Sequence, residues 1–260
     1  MSNRSTITFI GIIFLFFCSV STKAQDDKIL NHKLSLGIKQ GISISNTYGG
    51  PNLDDSQIKK SERTGITSGA IGIYSFSDIF SLKIELNYEQ KGFRTEMWID
   101  SITFFSDSGG AYTCKNSYFG WDATNKYDYL TMPILANIHF GKKFKVFFEA
   151  GTYYGFLLSA RYNGYHDHYI DPEDAVHSDD PTITSGHDKT EYNTNTREGM
   201  TKFDLGLTLG TGIQVLIKNK FNLLVYTRYN YGLTKIYKKS SVDVITNRTI
   251  DSGLGLVYNL

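Results

Sequence analysis

Cysteine is nearly absent from this chain, which has Cys18 and Cys114 and no others, and proline is scarce at 4 residues in 260. The first stretch reads as a removed leader that carries Cys18 away, so Cys114 is left alone and an internal disulfide is excluded. Charge of one sign is also missing. The 27 basic residues less Arg4 and Lys23 of the leader leave 25 against 26 acidic ones, a balance without the basic footprint of a nucleic-acid binder. After the leader there is no apolar run of the ~20 residues that a spanning helix needs. Any residence in a membrane must therefore be by strands.

The leader itself has three parts: Arg4 as the positive start, ITFIGIIFLFFCSV (7–20) as the apolar core, and Thr22-Lys23-Ala24 before a cleavage point between Ala24 and Gln25. Phe17 stands before Cys18 where a lipoprotein signal would have a small residue. The expected organisation is a leader over 1–24 and one β-domain over 25–260.

What the chain has in quantity is alternation. In FSLKIELNYEQK (80–91), Phe80, Leu82, Ile84, Leu86 and Tyr88 alternate with Ser81, Lys83, Glu85, Asn87 and Glu89, a period of two that belongs to strands. The same pattern recurs in LSLGIKQGISIS from Leu34, about Gly65 to Phe76, YLTMPILANIHF from Tyr129, Phe144 to about Ala160, Phe203 to Val215, FNLLVYTRYNYG from Phe221, and NRTIDSGLGLVYNL to Leu260. That makes eight strands. Their connections alternate between short turns, near 77–79, 141–143 and 218–220, and long loops, near 46–63, 94–126, 161–201 and 234–244. An up-and-down meander results, with every turn at one end and every loop at the other. Pro133 lacks a ladder donor in mid-strand, which predicts a bulge there.

Eight such strands suit either a soluble barrel with an apolar interior or an outer-membrane barrel with an apolar exterior. The polar faces decide: they carry small residues such as Gly37, Gly206 and Gly210 together with charges of both signs, which fit a narrow lumen, while the continuous Phe, Leu, Ile and Tyr of the other faces fit lipid. Tyr88, Tyr129, Tyr154 and Tyr231 are expected in an interfacial girdle.

The stretches YLTMPILANIHF, FFEAGTYYGFLLSA, FDLGLTLGTGIQV and YTRYNYGLTKI resemble the PorT-like outer-membrane β-barrel proteins, over nearly all of the chain beyond the leader. These motifs are membrane-strand residues and carry no catalysis. The resemblance implies an all-β, eight-stranded antiparallel up-and-down transmembrane barrel with short periplasmic turns and long extracellular loops. It also implies a Gram-negative outer membrane and a link to protein secretion.

Lys83, Glu85, Glu89, Glu149, Asp204 and Arg228 are expected to point into the lumen as a paired charge network, with Lys39, Lys91, His139 and Asp251 as companions, since buried ions must be paired to be tolerated. Function then falls to the loops. The second is rich in aromatic residues: either strands three and four extend beyond the bilayer and pack these rings together, or Trp98, Phe104, Phe105 and Trp121 are a candidate partner-binding surface. Lys59, Lys60 and Arg63 in the first loop and Lys235, Lys238 and Lys239 in the fourth suit anionic lipopolysaccharide. HDHYIDPEDAVHSDD (166–180) offers imidazoles and carboxylates in no zinc spacing, so a solvated loop is expected. No cofactor is implied. The leading expectation is a non-enzymatic envelope protein working with outer-membrane lipid and an envelope or secretion partner. A small-ligand or lipid-binding barrel is the alternative, then a membrane-embedded hydrolase or acyltransferase, for which no nucleophile elbow is present.

Overall fold

Polar residues lie inside this protein and aliphatic ones outside, the inverse of a soluble core. In the first strand Leu36, Ile38, Ile42 and Ile44 are exposed while Ser35, Lys39, Ser43 and Ser45 are buried. The computed structural model describes residues 34–49, 58–105, 111–142, 144–173, 185–218, 220–238 and 244–260. They form nine strands: β1 (Leu34–Tyr48), β2 (Ile58–Ser75), β3 (Phe80–Phe105), β4 (Ala111–Gly141), β5 (Phe144–Ile170), β6 (Gly186–Asn195), β7 (Phe203–Lys218), β8 (Phe221–Gly232) and β9 (Thr246–Asn259).

Every pairing is antiparallel, and the ring runs β1-β2-β3-β4-β5-β7-β8-β9, with β9 returning to β1. The first and last strands meet there, Leu260 N donating to Leu34 O at 3.0 Å. Closure leaves this ring without an edge. The ninth strand, β6, stands outside it. β5 pairs with β7 from Phe144 to Phe156 and with β6 from Arg161 to Ile170, while β4 accompanies it along both stretches.

The long-loop end is largely strand, as expected for β3 and β4 and contrary to expectation at 161–201. Residues 94–126 are mostly the continuation of β3 and β4, paired from Arg94–Thr124 up to Phe105–Ala111. Residues 161–201 contain the rest of β5 and all of β6. The polar segment HDHYI (166–170) is strand, because backbone pairing with β4 and β6 satisfies it whatever its side chains are.

Two local expectations are overturned. Pro133 makes no bulge: the β3–β4 register is the same at Ile84–Ile134 and Asn87–Thr131, and only the partners between are skipped. A missing N–H removes a ladder bond there without inserting a residue. The register shifts on this strand lie elsewhere, at Asp128/Tyr129 against β5 and between Tyr118 and Cys114 against β3. Tyr129 is not a girdle residue. It is 1% exposed and faces the lumen, on the same side of the strand as Thr131, with Lys91 Nζ 5.3 Å from its ring. Tyr154 and Tyr231 do face outward.

The lumen glycines make room for inward rings from the next strand. A Cβ on Gly206 would stand 2.3 Å from the Tyr153 ring, and one on Gly212 would stand 2.5 Å from Phe147.

Candidate functional site

Among the described residues, nine charged side chains are buried in the lumen: Lys39, Lys83, Lys91 and Arg228 against Glu85, Glu89, Glu149, Asp204 and Asp251. They sit there because each occupies the inward phase of its strand. Arg228 is the hub. Its two terminal nitrogens donate to the two Glu85 oxygens at 2.9 Å each, and its Nε is 3.1 Å from Glu149 Oε1. Lys39 Nζ joins Glu85 at 2.8 Å and Asp251 at 3.3 Å, while Lys83 bridges Glu149 and Glu85. Asn87 donates to Glu85 Oε2 at 3.0 Å.

A second group lies nearer the long-hairpin end. Asp204 Oδ2 accepts from Lys91 Nζ at 3.1 Å, Asn247 Nδ2 at 2.9 Å and Tyr153 Oη at 3.3 Å, and Lys91 also faces Glu89 at 3.6 Å. Aromatic faces complete the cation shells: Tyr226 serves Lys39 and Arg228, and Tyr153 serves Lys91 at 4.4 Å. Tyr153, Tyr226 and Asn247 were not among the sequence candidates, although their alternation phase places them on the same faces as those that were. His139 stands apart from the network at the short-turn end, its Nε2 2.8 Å from Ser81 Oγ.

Apolar layers close the charged zone on both sides. Toward the short turns lie Ile71, Ile73, Phe147, Leu224, Tyr226 and Val257. Toward the hairpins lie Phe93, Tyr127, Tyr129, Leu157 and Ala160, with Met200 and Ile236 contributed by the β6–β7 and β8–β9 connections. Those connections are tied across the mouth by Thr201 N to Ile236 O at 2.7 Å and by the Met200–Tyr237 bridge. Nothing in the alternation pattern marks Met200 or Ile236, because neither lies in a strand. Beyond the lower layer a cup of about 250 Å³ opens at the short-turn end, with Ser35, Asn222 and Asn259 on its wall and Lys142 and Lys145 at its rim.

Past the barrel, β3, β4 and β5 continue and β6 joins them in a four-stranded sheet with two different faces. On the face continuous with the lumen, Trp121 Nε1 donates to Tyr192 Oη, the Tyr162 and Tyr192 rings stack at 5.1 Å, and His166 lies 5.0 Å from Tyr192 and 5.9 Å from Phe119. Burial among these rings, with the Tyr192 hydroxyl beside it, pushes the Tyr162 hydroxyl up from its ordinary value. On the other face Trp98, 45% exposed, leans on Tyr118 at 6.1 Å and covers Gly120, and Tyr118 stacks on Tyr169. Trp98 and Trp121 thus lie on opposite faces and form no common surface. Phe104 and Phe105 end β3 opposite Tyr112 and Ala111. The cleavage pair Ala24 and Gln25 lies outside the described residues, as does His177.

A lipid-facing exterior around a paired ionic interior defines an integral membrane β-barrel. Residues 23–238 match the family described as "Outer membrane protein beta-barrel domain", and the chain belongs to that family. It is a protein of the Gram-negative outer membrane, so the short turns are periplasmic and the long hairpins extracellular. A comparison with curated protein sequences finds no match. Among solved structures, the N-terminal beta-barrel domain of Pseudomonas aeruginosa OprF is 10% identical with a TM-score of 0.38, over 88% of this chain and 98% of that one. OprG of Pseudomonas aeruginosa is 9% identical with a TM-score of 0.39, over 88% and 98%. The outer membrane protease OmpT of Escherichia coli is 9% identical with a TM-score of 0.36, over 92% and 100%. Likeness at this level says nothing of activity.

Proposed function

We propose that this chain is a non-enzymatic, PorT-like barrel that acts as a rigid pedestal, holding the β3–β6 sheet outside the cell for an envelope or secretion partner. The observation that carries this reading is the continuation of four paired strands beyond the lipid-facing band, with ring clusters of their own on both faces. A sheet continuous with a closed barrel is held without a hinge, and pre-ordered aromatic side chains bind at low entropic cost. The lumen supports the non-enzymatic part. Its charged groups are paired with one another between two apolar layers, which keeps substrate and water from them.

Photo-crosslinking in intact cells tests the proposal, with a crosslinking residue at position 98 or 192 and, as control, at Leu36 in the lipid-facing band. A discrete protein adduct is expected from the sheet positions and not from Leu36. It should fade from either position when Trp121→Ala is added, and from position 192 when residues 94–126 are replaced by a short Gly/Ser turn. Absence of any adduct from sheet positions, in protein still folded by its heat-dependent gel shift, would remove the pedestal reading.

A further inference from the structure

Lys126 of β4 and Arg161 of β5 are register partners, two cations directly opposite one another. The adjacent pair, Tyr127 and Ala160, is buried inside, so alternation turns Lys126 and Arg161 to the outside. Like charges set opposite across a ladder repel. Among the described residues neither forms a salt bridge. The next outward residue along β4, Asp128, is held by Gln90 Nε2 at 3.3 Å.

Two more cations belong to the same level. Leu157 O accepts from Arg197 Nη2 at 3.3 Å, and Leu157 N donates to Lys202 O at 2.8 Å. Arg197 Nε is buried without a hydrogen-bond partner. Glu198 is the acid beside them, and its carbonyl oxygen receives Lys238 Nζ at 2.7 Å. Two other basic residues at this end have protein partners: Arg63 donates to Lys91 O, and Lys60 lies 4.8 Å from the Phe93 ring.

The lipid-facing band ends just below these cations. Leu130, Phe156, Leu158 and Phe203 are exposed there, the two Phe rings 5.6 Å apart. In an outer-membrane protein the extracellular end of that band meets the headgroups of the outer leaflet. An anion between Lys126 and Arg161 converts their repulsion into two attractions, and a guanidinium fork suits a phosphate oxygen pair.

We propose that Lys126 and Arg161, assisted by Arg197 and Lys202, bind the phosphate of a phosphorylated glycolipid of the outer leaflet, whose acyl chains lie over Leu130, Phe156, Leu158 and Phe203. The site is independent of the pedestal role, and its failure would leave that role untouched.

The test uses the folded full-length barrel in zwitterionic detergent, with native mass spectrometry and the thermal midpoint of the gel shift as readouts. The probes are lipid A, dephosphorylated lipid A and inorganic phosphate. Lipid A is expected to bind one to one and raise the midpoint, with binding at least about tenfold weaker for dephosphorylated lipid A or for the Lys126→Ala/Arg161→Ala variant. Lys189→Ala, on β6 with its Nζ 4.2 Å from the Tyr165 ring, should bind like the parent. Without lipid the double variant should unfold no earlier than the parent, since a repulsion has been removed, which separates lost binding from lost folding. Equal affinity of variant and parent for lipid A would overturn the proposal. So would displacement of lipid A by equimolar inorganic phosphate, which would make this a site for a soluble anion.

Discussion

Glu85 of β3 and Arg228 of β8 meet across the lumen in a two-point ion pair, both bonds 2.9 Å. Along the ring these strands are separated by β2, β1 and β9, so the pair ties walls that share no backbone ladder. Its energetics follow from burial. Removing one partner leaves the other charge buried without its two-point partner, with only Lys39 and Lys83 beside Glu85 or Glu149 and Asp251 beside Arg228, which costs up to about 3–5 kcal/mol, while removing both costs much less. Glu85→Gln and Arg228→Met are each expected to lower unfolding free energy by roughly that amount, and the double variant by clearly less than the sum. Urea unfolding in detergent, followed by tryptophan fluorescence, measures all three. Additive losses would show that the two side chains act independently.

The lumen network was legible in the sequence because a strand's period of two assigns each residue to a face, and Lys83, Glu85, Glu89, Glu149, Asp204 and Arg228 each fall in the polar phase of a long alternating run. Which charge meets which was not legible. That depends on the relative stagger of strands that are not neighbours, as with β3 and β8. The β5–β6 hairpin of the extracellular sheet escaped for a different reason. Residues 161–170 and 186–195 have no apolar phase, since neither face lies against lipid or a core, and only backbone pairing makes them strands. Tyr129 was misplaced by residue type: tyrosine suggests a girdle, yet its phase on β4 already pointed inward.

Glycine on the lumen face sets the size limit for packing. Gly206 lies under the Tyr153 ring, and Tyr153 in turn donates to Asp204. Gly206→Val should push the ring aside, break that hydrogen bond and destabilise the barrel by about 1–3 kcal/mol through overpacking. Gly186→Ala in β6, where nothing lies within 4 Å of the added carbon, tests the strand end instead. Its φ of +136° predicts a local cost in β6 and no change in barrel unfolding. Urea midpoints for the barrel and hydrogen exchange for β6 read the two effects separately.

Among the described residues, His166, His168 and His187 are not arranged to share a metal ion. His166 and His168 sit on the lumen-continuous face of β5, His166 among Trp121 and Tyr192, whereas Asp167 projects from the other face to meet His187 Nε2 at 2.8 Å. A closed zinc site needs about four ligands converging on one point, and a strand separates these two pairs. Isothermal titration of the folded protein with zinc is expected to show only weak binding, unchanged in magnitude by His166→Ala/His168→Ala. Tight one-to-one binding that disappears in that variant would mean that the hairpin rearranges around the metal.

The lumen is closed by three barriers in series: the extracellular layer topped by Met200 and Ile236, the paired charges, and the periplasmic layer around Phe147 and Val257. An eight-stranded ring has only enough interior for its own side chains, and here both polar and apolar levels are filled. Planar-bilayer recording of the reconstituted protein should show no stable conductance of porin size. The series arrangement makes a sharper prediction as well. Met200→Gly/Ile236→Gly takes away one barrier only, so it should leave the bilayer equally silent while lowering stability by the loss of two buried side chains, about 2–5 kcal/mol each. If that variant instead opened discrete channels, the extracellular layer would be the sole gate and the ion pairs beneath it would line a conducting path.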